Sequence, residues 1–237
     1  MCPMHKIEVR GAKVYFLRLP KVFETEKNTF AATRGTLKLR KYSLTIMGKT
    51  YFEDKIFEKE DFLLSPLEKG DYENCIFINC NFAAADLLNV NFSECEFRTC
   101  NLSMAGVTNT AFRDVRFKDC KMLGLHFQNC NPFLFAVNFE NCTLNLASFY
   151  KLNIKKTRFL NCTLKEADFS SADLSNAKFE NCDLLGAVFE RTNLEKADLR
   201  SAINYSIDPE SNRIKKARFS LPGIPGLLNK YGIEIEY

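Results

Sequence analysis

The chain has no tryptophan, only two histidines, seven prolines and ten glycines among its 237 residues. So little glycine and proline excludes collagen-like and low-complexity disordered chains. No apolar run approaches the roughly 18 residues that a membrane-crossing helix needs. No apolar stretch near the N-terminus has the form of a secretory signal. These absences lead us to expect a cytoplasmic protein, with its ten cysteines reduced rather than bridged. Of the two histidines, His5 lies in the N-terminal segment and His126 is expected on a surface. No glycine-rich phosphate loop, nucleophile motif or paired-carboxylate motif stands out. We expect a protein that is not an enzyme and holds neither cofactor nor metal.

Charge is present but divided. Residues 1–46 carry 10 Lys and Arg against 3 Asp and Glu, residues 47–201 carry 18 against 22, and residues 202–237 carry 5 against 4. The net charge of +4 therefore originates in the first segment, while residues 47–201 are net −4 (18 − 22). The basic balance of the whole chain is no argument for nucleic-acid binding by its central body.

Phenylalanine is plentiful, with 22 residues, and it recurs. FINC occupies 77–80, FRTC 97–100 and FKDC 117–120, followed by FENC at 139–142, FLNC at 159–162 and FENC at 179–182. The finer period is five. From Phe52 to Phe127 every fifth residue is apolar; the register then slips by two and resumes at Leu134, running to Leu199. Neither a helix of period 3.6 nor a strand of period 2 requires such spacing. Two residues before most of these centres sits a small residue, commonly Cys or Ala, as at Cys80, Cys100, Ala167 and Ala177. The residue just before the centre is often Asn or Asp, as at Asn81, Asp86, Asp168, Asp173 and Asp183. The stretch KEADFSSADLSNAKF, residues 165–179, carries the pattern most cleanly.

These residues resemble the pentapeptide-repeat family over roughly residues 50–201. The resemblance implies an all-β fold: a right-handed quadrilateral parallel β-helix in which four five-residue units make one coil. Centre and small residue would face inward, the other three outward. Physics agrees, because a solenoid buries its interior only by stacking coils, about one strand spacing of 4.8 Å apart. Twenty residues are then one turn. Phe57, Phe77, Phe97, Phe117, Phe139, Phe159 and Phe179 would stack on one inner face. Cys80, Cys100, Cys120, Cys142, Cys162 and Cys182 would form a column of small core residues beside them. A zinc site requires ligands converging at about 2.3 Å from one point, which a straight column does not provide. Asn79, Asn141, Asn161 and Asn181 would stack as an amide ladder at a corner.

The slip, QNCNPFLFAV at residues 128–137, contains Pro132, which has no N–H for a ladder. It reads either as a bulge that kinks the rod or as a small loop presenting Phe133 or Phe135 to a partner. On the outside, Glu96, Arg116, Asn138, Arg158, Lys178 and Asp198 share a partly basic column. Asp86 and Asp168 share another face, with Asp173 and Asp183 on its neighbours; these four are the candidate partner-binding carboxylates.

The ends break the pattern. Residues 1–46 form a basic extension, read as disordered or as a mis-assigned start before Met47. Residues 47–201 form the repeat body. Residues 202–237 form a cap with a helix bearing Leu221, Ile224, Leu227, Leu228 and Tyr231, with Gly232 as its C-cap and a short strand from Ile233 to Tyr237. This tail resembles that of Qnr-type quinolone-resistance and microcin-immunity proteins, which implies a homodimer joined through the cap. The resemblance implies a binding protein that imitates DNA and protects gyrase or topoisomerase IV. A solenoid scaffold for another protein partner is the alternative reading. Neither reading involves a membrane or direct nucleic-acid binding by the body.

Overall fold

A computed structural model describes residues 5–9, 12–16, 44–46 and 49–236. The chain divides into two compact units, residues 1–40 and residues 41–237. In the first, strands His5–Val9 and Ala12–Phe16 pair antiparallel, with Ile7 opposite Val14. Residues 1–4, 10–11 and 17–43 of the expected N-terminal extension, and the expected body start at Met47, lie outside the described residues. The second unit includes Leu44–Ile46, which pairs antiparallel with Lys49–Glu53 at the edge of the solenoid.

The solenoid has four faces, numbered here from the first coil. Face one carries strands Lys49–Glu53, Gly70–Glu73, Asn91–Ser93 and Ala111–Arg113. Face two carries Ile56–Glu58, Ile76–Ile78, Glu96–Arg98, Val115–Lys118, Val137–Glu140, Arg158–Leu160 and Lys178–Glu180, a seven-stranded sheet whose paired strands run parallel. Faces three and four are held by single parallel bridges, such as Asn81 to Asn101 and Ser148 to Asp168. On face two Phe77 sits over Phe57 and Phe97 over Phe77, with ring centroids 4.8 and 4.7 Å apart. The stack widens to 5.5 Å between Phe117 and Phe139, across the slip. Rings on different faces meet edge to face, as Phe159 meets Phe169 at 6.1 Å, a favoured arrangement of ring quadrupoles. From Phe62 to Leu199 the centres are buried, apart from Leu134.

The second residue after each centre turns the corner. Residues at this position other than glycine have φ between 49° and 63°, except Leu64, Lys69, Asn129 and Ser201. Left-handed backbone is easiest for Gly, then Asn and Asp, and Asn74, Asn89, Asn109, Asp114, Asn161 and Gly186 stand at such corners. The expected amide ladder exists from Asp119 upward: Asn141 donates to Asp119, Asn161 to Asn141 and Asn181 to Asn161, at 2.9, 3.0 and 3.1 Å. Asn79 shares the column but not this ladder, because Thr99 and not an amide follows it one coil later.

The corners come in two kinds. After faces three and four a turn hydrogen bond closes the corner, as from Ala85 N–H to the Phe82 carbonyl at 3.0 Å. After face two, from Phe57 to Phe179, no such bond forms among the described residues, and the cysteine column follows these open corners. Alanine commonly follows a closed corner, as at Ala85, Ala105 and Ala147, although Val90, Thr110, Leu125, Cys130 and Leu152 follow closed corners too. Each thiol of the column donates a weak hydrogen bond: Cys100 Sγ reaches the Phe77 carbonyl at 3.4 Å and the Arg98 carbonyl at 3.3 Å. Thr110, Thr192 and Asn212 reach back the same 23 residues, to the carbonyls of Leu87, Phe169 and Phe189.

Three expectations change. Leu134 is not a core centre. It is exposed with φ of 57°, and Phe135 fills the interior instead, between Phe112 and Phe127. Pro132, 20 residues after Phe112, is exposed, so the chain loops out and Phe135 enters the core three residues later. The coil also continues past residue 201: Arg213 pairs with Asn193 and Arg218 with Asp198. The cap contains two 3-10 helices, Leu221–Leu227 and Asn229–Tyr231, where side-chain spacing predicts an α-helix. Pro222 and Pro225 lack N–H groups, which thins the α-type hydrogen bonding. Gly223 and Gly226 press on Tyr205, where a Cβ would lie 2.0 Å from its hydroxyl and 2.3 Å from its carbonyl oxygen. Gly232 closes the segment with φ of 60°. Residues 233–236 pair with no strand.

Candidate protein-binding surface

Each outward side chain is placed by the corner beneath it. The carboxylates of Asp86, Asp168, Asp173 and Asp183 first serve their own turns. Each accepts the backbone N–H two residues on, at 2.8 to 3.2 Å. This Asx turn is what Asp and Asn do best in short loops. The four do not form one patch. Asp86 and Asp168 share the face-four column with Gly106, His126 and Ser148 between them, Asp173 lies on face one, and Asp183 on face three.

Three of the four also have a cation from the preceding coil. Lys69 lies 3.0 Å from Asp86, Lys155 3.2 Å from Asp173 and Lys165 3.3 Å from Asp183. The Leu88 N–H and then the Lys69 ammonium hold the Asp86 carboxyl below its ordinary range. Burial pushes Asp173 and Asp183 upward. For Asp173 the hydrogen bonds from Ser175, and for Asp183 those from Asn204 and Lys165, outweigh it, so both also titrate low. Asp168 accepts from Ser170 N–H and Ser148 Oγ, and no lysine or arginine among the described residues forms an ion pair with it.

The basic column on face two stands as read from the sequence, with Arg116 between Glu96 and Asn138 and with Arg158 beside Lys178. Arg158 is tied to Glu180, and Lys118 lies 3.0 Å from Glu140. At the slip, Phe133 is 66% exposed whereas Phe135 is buried, so only Phe133 is available to a partner. Its loop is braced by the Phe133 N–H donating to Asn131 Oδ1 at 2.9 Å.

In the cap, Leu227 packs on the core and Leu228 is half-buried, while Leu221 is 85% exposed and Ile224 and Tyr231 are also exposed. Lys230 holds the cap down through Asp208 and Glu210, both at 2.6 Å. A cavity of about 390 Å³ lies between cap and last coil, lined by Leu185, Ile203, Tyr205, Pro222 and Gly226 among others. The nine described cysteines are free and buried. Burial pushes the Cys130 thiol well above its ordinary value. No cluster of His, Cys, Asp or Glu among the described residues is arranged to hold a metal ion. None of their helices is long and apolar enough to cross a membrane.

The left-handed corner position and the donor role of the thiols were missed in the sequence. The first had a signal, since Asn, Asp and Gly recur two residues after the centres. The second had none, because a thiol and a methyl look alike as small residues.

Known proteins show the same pattern. A family model for the pentapeptide repeat region matches residues 70–132 and 133–206. Full-length QnrB1, a plasmid-mediated fluoroquinolone resistance protein, is 21% identical, covers 77% of this chain and 100% of its own, and superposes with a TM-score of 0.41. HetL, a pentapeptide repeat protein involved in heterocyst differentiation regulation in the cyanobacterium Nostoc, is 15% identical over 73% of this chain and 87% of its own, with a TM-score of 0.28. Rfr23 from the cyanobacterium Cyanothece is 15% identical over 72% and 84%, with a TM-score of 0.22. No curated protein matches. With the coil, its corners and the matched residues together, this chain belongs to the pentapeptide-repeat family.

Proposed function

We propose that the protein is a non-enzymatic binding rod whose partner is another protein. One observation carries this reading. Inward side chains are consumed by a closed core, while outward ones repeat as columns one coil apart, a regular array suited to recognition along its length. The resemblance of the tail to Qnr-type proteins makes a type II DNA topoisomerase the first partner to test. In that reading the carboxylates meet basic enzyme surface in place of DNA, and Leu221, Ile224 and Tyr231 join two rods end to end. The second reading, a scaffold for a different protein, is favoured by the ion pairs on Asp86, Asp173 and Asp183, which weaken a DNA-like field. The assay is gyrase supercoiling with and without a quinolone, using enzyme from the same source. Protection that weakens with rising salt supports the topoisomerase reading. No protection at micromolar protein, with no gyrase enriched in a pull-down, removes it in favour of the scaffold.

A further inference from the structure

The corners after faces one and two carry charge in most coils, whereas the corner after face four lacks it over three coils, Leu88–Asn89, Thr108–Asn109 and Gln128–Asn129. The corner after face one reads Glu53–Asp54, Glu73–Asn74, Ser93–Glu94 and Arg113–Asp114. The corner after face three reads Leu63–Leu64, Ala83–Ala84, Ser103–Met104, Leu123–Gly124 and Asn145–Leu146, with no ionisable group. Leu64 is 82% exposed, Met104 61% and Leu146 50%; Leu63 and Leu123 are exposed as well. Met104 and Leu146 also take left-handed backbone, with φ of 56° and 58°. Bulky residues adopt that region only at a cost. Within one chain these side chains bear strain and solvent exposure and gain no burial in return. Beside them on face four, Gly106, His126 and Ser148 add no carboxylate and no lysine or arginine between Asp86 and Asp168.

We propose that this corner is an interface between two copies of the chain, packed antiparallel side by side. The argument is self-complementarity under a two-fold axis. Along the corner the surface is high in the first coil (Leu63, Leu64), low in the second (Ala83, Ala84) and high in the third (Met104). In the fourth, Leu123 projects beside Gly124, and in the fifth Leu146 projects. An axis crossing the rod at the third coil sets the first coil on the fifth and the second on the fourth. Leu123 then enters the notch above Ala83 and Ala84, Leu146 lies against Leu63 and Leu64, and Met104 meets its own copy. The same operation brings Asp86 to His126. Five coils span roughly 19 Å at the strand spacing, a strip at the small end of specific interfaces. The dimer needs neither the topoisomerase reading nor the cap contact.

A residue on a two-fold axis cross-links to itself. In full-length Cys2→Ser protein, Met104→Cys should form a disulfide-linked dimer under mild oxidation, and Glu94→Cys, exposed at the corner after face one, should not. Leu64→Cys and Leu146→Cys should cross-link when mixed but not alone. Leu123→Asp added to Met104→Cys should lower the linked fraction about tenfold or more, with the circular dichroism of the folded protein unchanged. Ala84→Glu, which fills the notch, should do the same. Leu221→Asp, which opens the cap contact, should leave the cross-link intact. Equal linking at 94 and 104, no linking at 104, or a Met104→Cys link that survives Leu123→Asp and Ala84→Glu overturns the dimer. So does a link lost with Leu221→Asp. A corner needed for capture of a foreign protein but silent in cross-linking belongs to that partner, and the dimer is then wrong.

Discussion

The coils before the slip and the coils after it solve the same packing problem in different ways. Before it, Phe52, Tyr72, Phe92 and Phe112 stack on face one beside the face-two stack, and Phe62 stacks on Phe82 on face three in the first two coils. After it, face one holds Ile154, Leu174 and Leu194, and the second ring stack has moved to face four, through Phe127, Phe149, Phe169 and Phe189. The face-one corners change with it. They are open ahead of Cys75, Cys95 and Val115, and closed by turn bonds ahead of Thr157, Ala177 and Ala197. On face one ring position and corner type switch together, while on face four the ring stack arrives with the corners ahead of Cys130, Leu152 and Ala172 still closed. A coil holds two or three rings, three where Phe52, Phe57 and Phe62 or Tyr72, Phe77 and Phe82 share one, with aliphatic side chains at the remaining centres. The inserted loop at residues 132–134 sits where one solution passes to the other, with Phe135 as the last ring on face one.

Breaking the rings on either side of the slip should have the largest effect. Phe92→Ala and Phe169→Ala, both buried, should each cost about 3–5 kcal/mol by the cavity rule, read from urea unfolding midpoints. A loss under 1 kcal/mol at either site would mean that the core there collapses to fill the gap. Exchanging the solutions should cost less: Leu174→Phe puts a ring on face one where the later coils have none, and overpacking costs about 1–3 kcal/mol.

The transition itself separates two neighbouring aromatics. Phe135→Ala should destabilise by several times more than Phe133→Ser, which is expected to stay within about 0.5 kcal/mol as a surface change. Equal effects would return Phe133 to the core. Corner type gives a smaller contrast. Ala177→Cys should be resisted by the closed corner, while Cys95→Ala loses a thiol hydrogen bond worth about 1 kcal/mol. In the folded protein none of the nine described cysteines should react with a thiol reagent at pH 8 until unfolding, because all are buried.

The smallest expected effect concerns the left-handed corner. Gly186 has φ of 70°, so Gly186→Ala should cost about 1 kcal/mol. Lys156→Gly should change stability little, because relief of strain is offset by about 0.5–1 kcal/mol of unfolded-chain entropy. If Lys156→Gly destabilises strongly, the aliphatic stem of the lysine packs at that corner more than its exposure suggests.

Much of the fold was legible before any coordinates, for a physical reason. A solenoid reuses one local environment every coil, so its inward positions recur at a fixed interval and write the period into the chain. The four-sided coil, the phenylalanine stack, the cysteine column and the amide ladder from Asn141 to Asn181 are all periodic features. The candidate surface was less legible. Asp173 and Asp183 stand out in the sequence as acids, but the Lys155 and Lys165 that offset them come from the preceding coil.

The sequence by itself determined the five-residue period, the place of the slip and the residues that face inward, because burial selects side chains one position at a time. Tertiary structure alone decided what depends on several coils at once. It decided that Phe135 and not Leu134 closes the core, because the chain loops out at the exposed Pro132 and enters the core three residues later. It decided that the cap forms 3-10 helices pressed on Tyr205, since contact with the last coil sets that geometry. It decided which carboxylates are neutralised and which corner stays apolar along five coils, since neighbours 17, 18 or 20 residues apart in the chain become adjacent only when the coils stack.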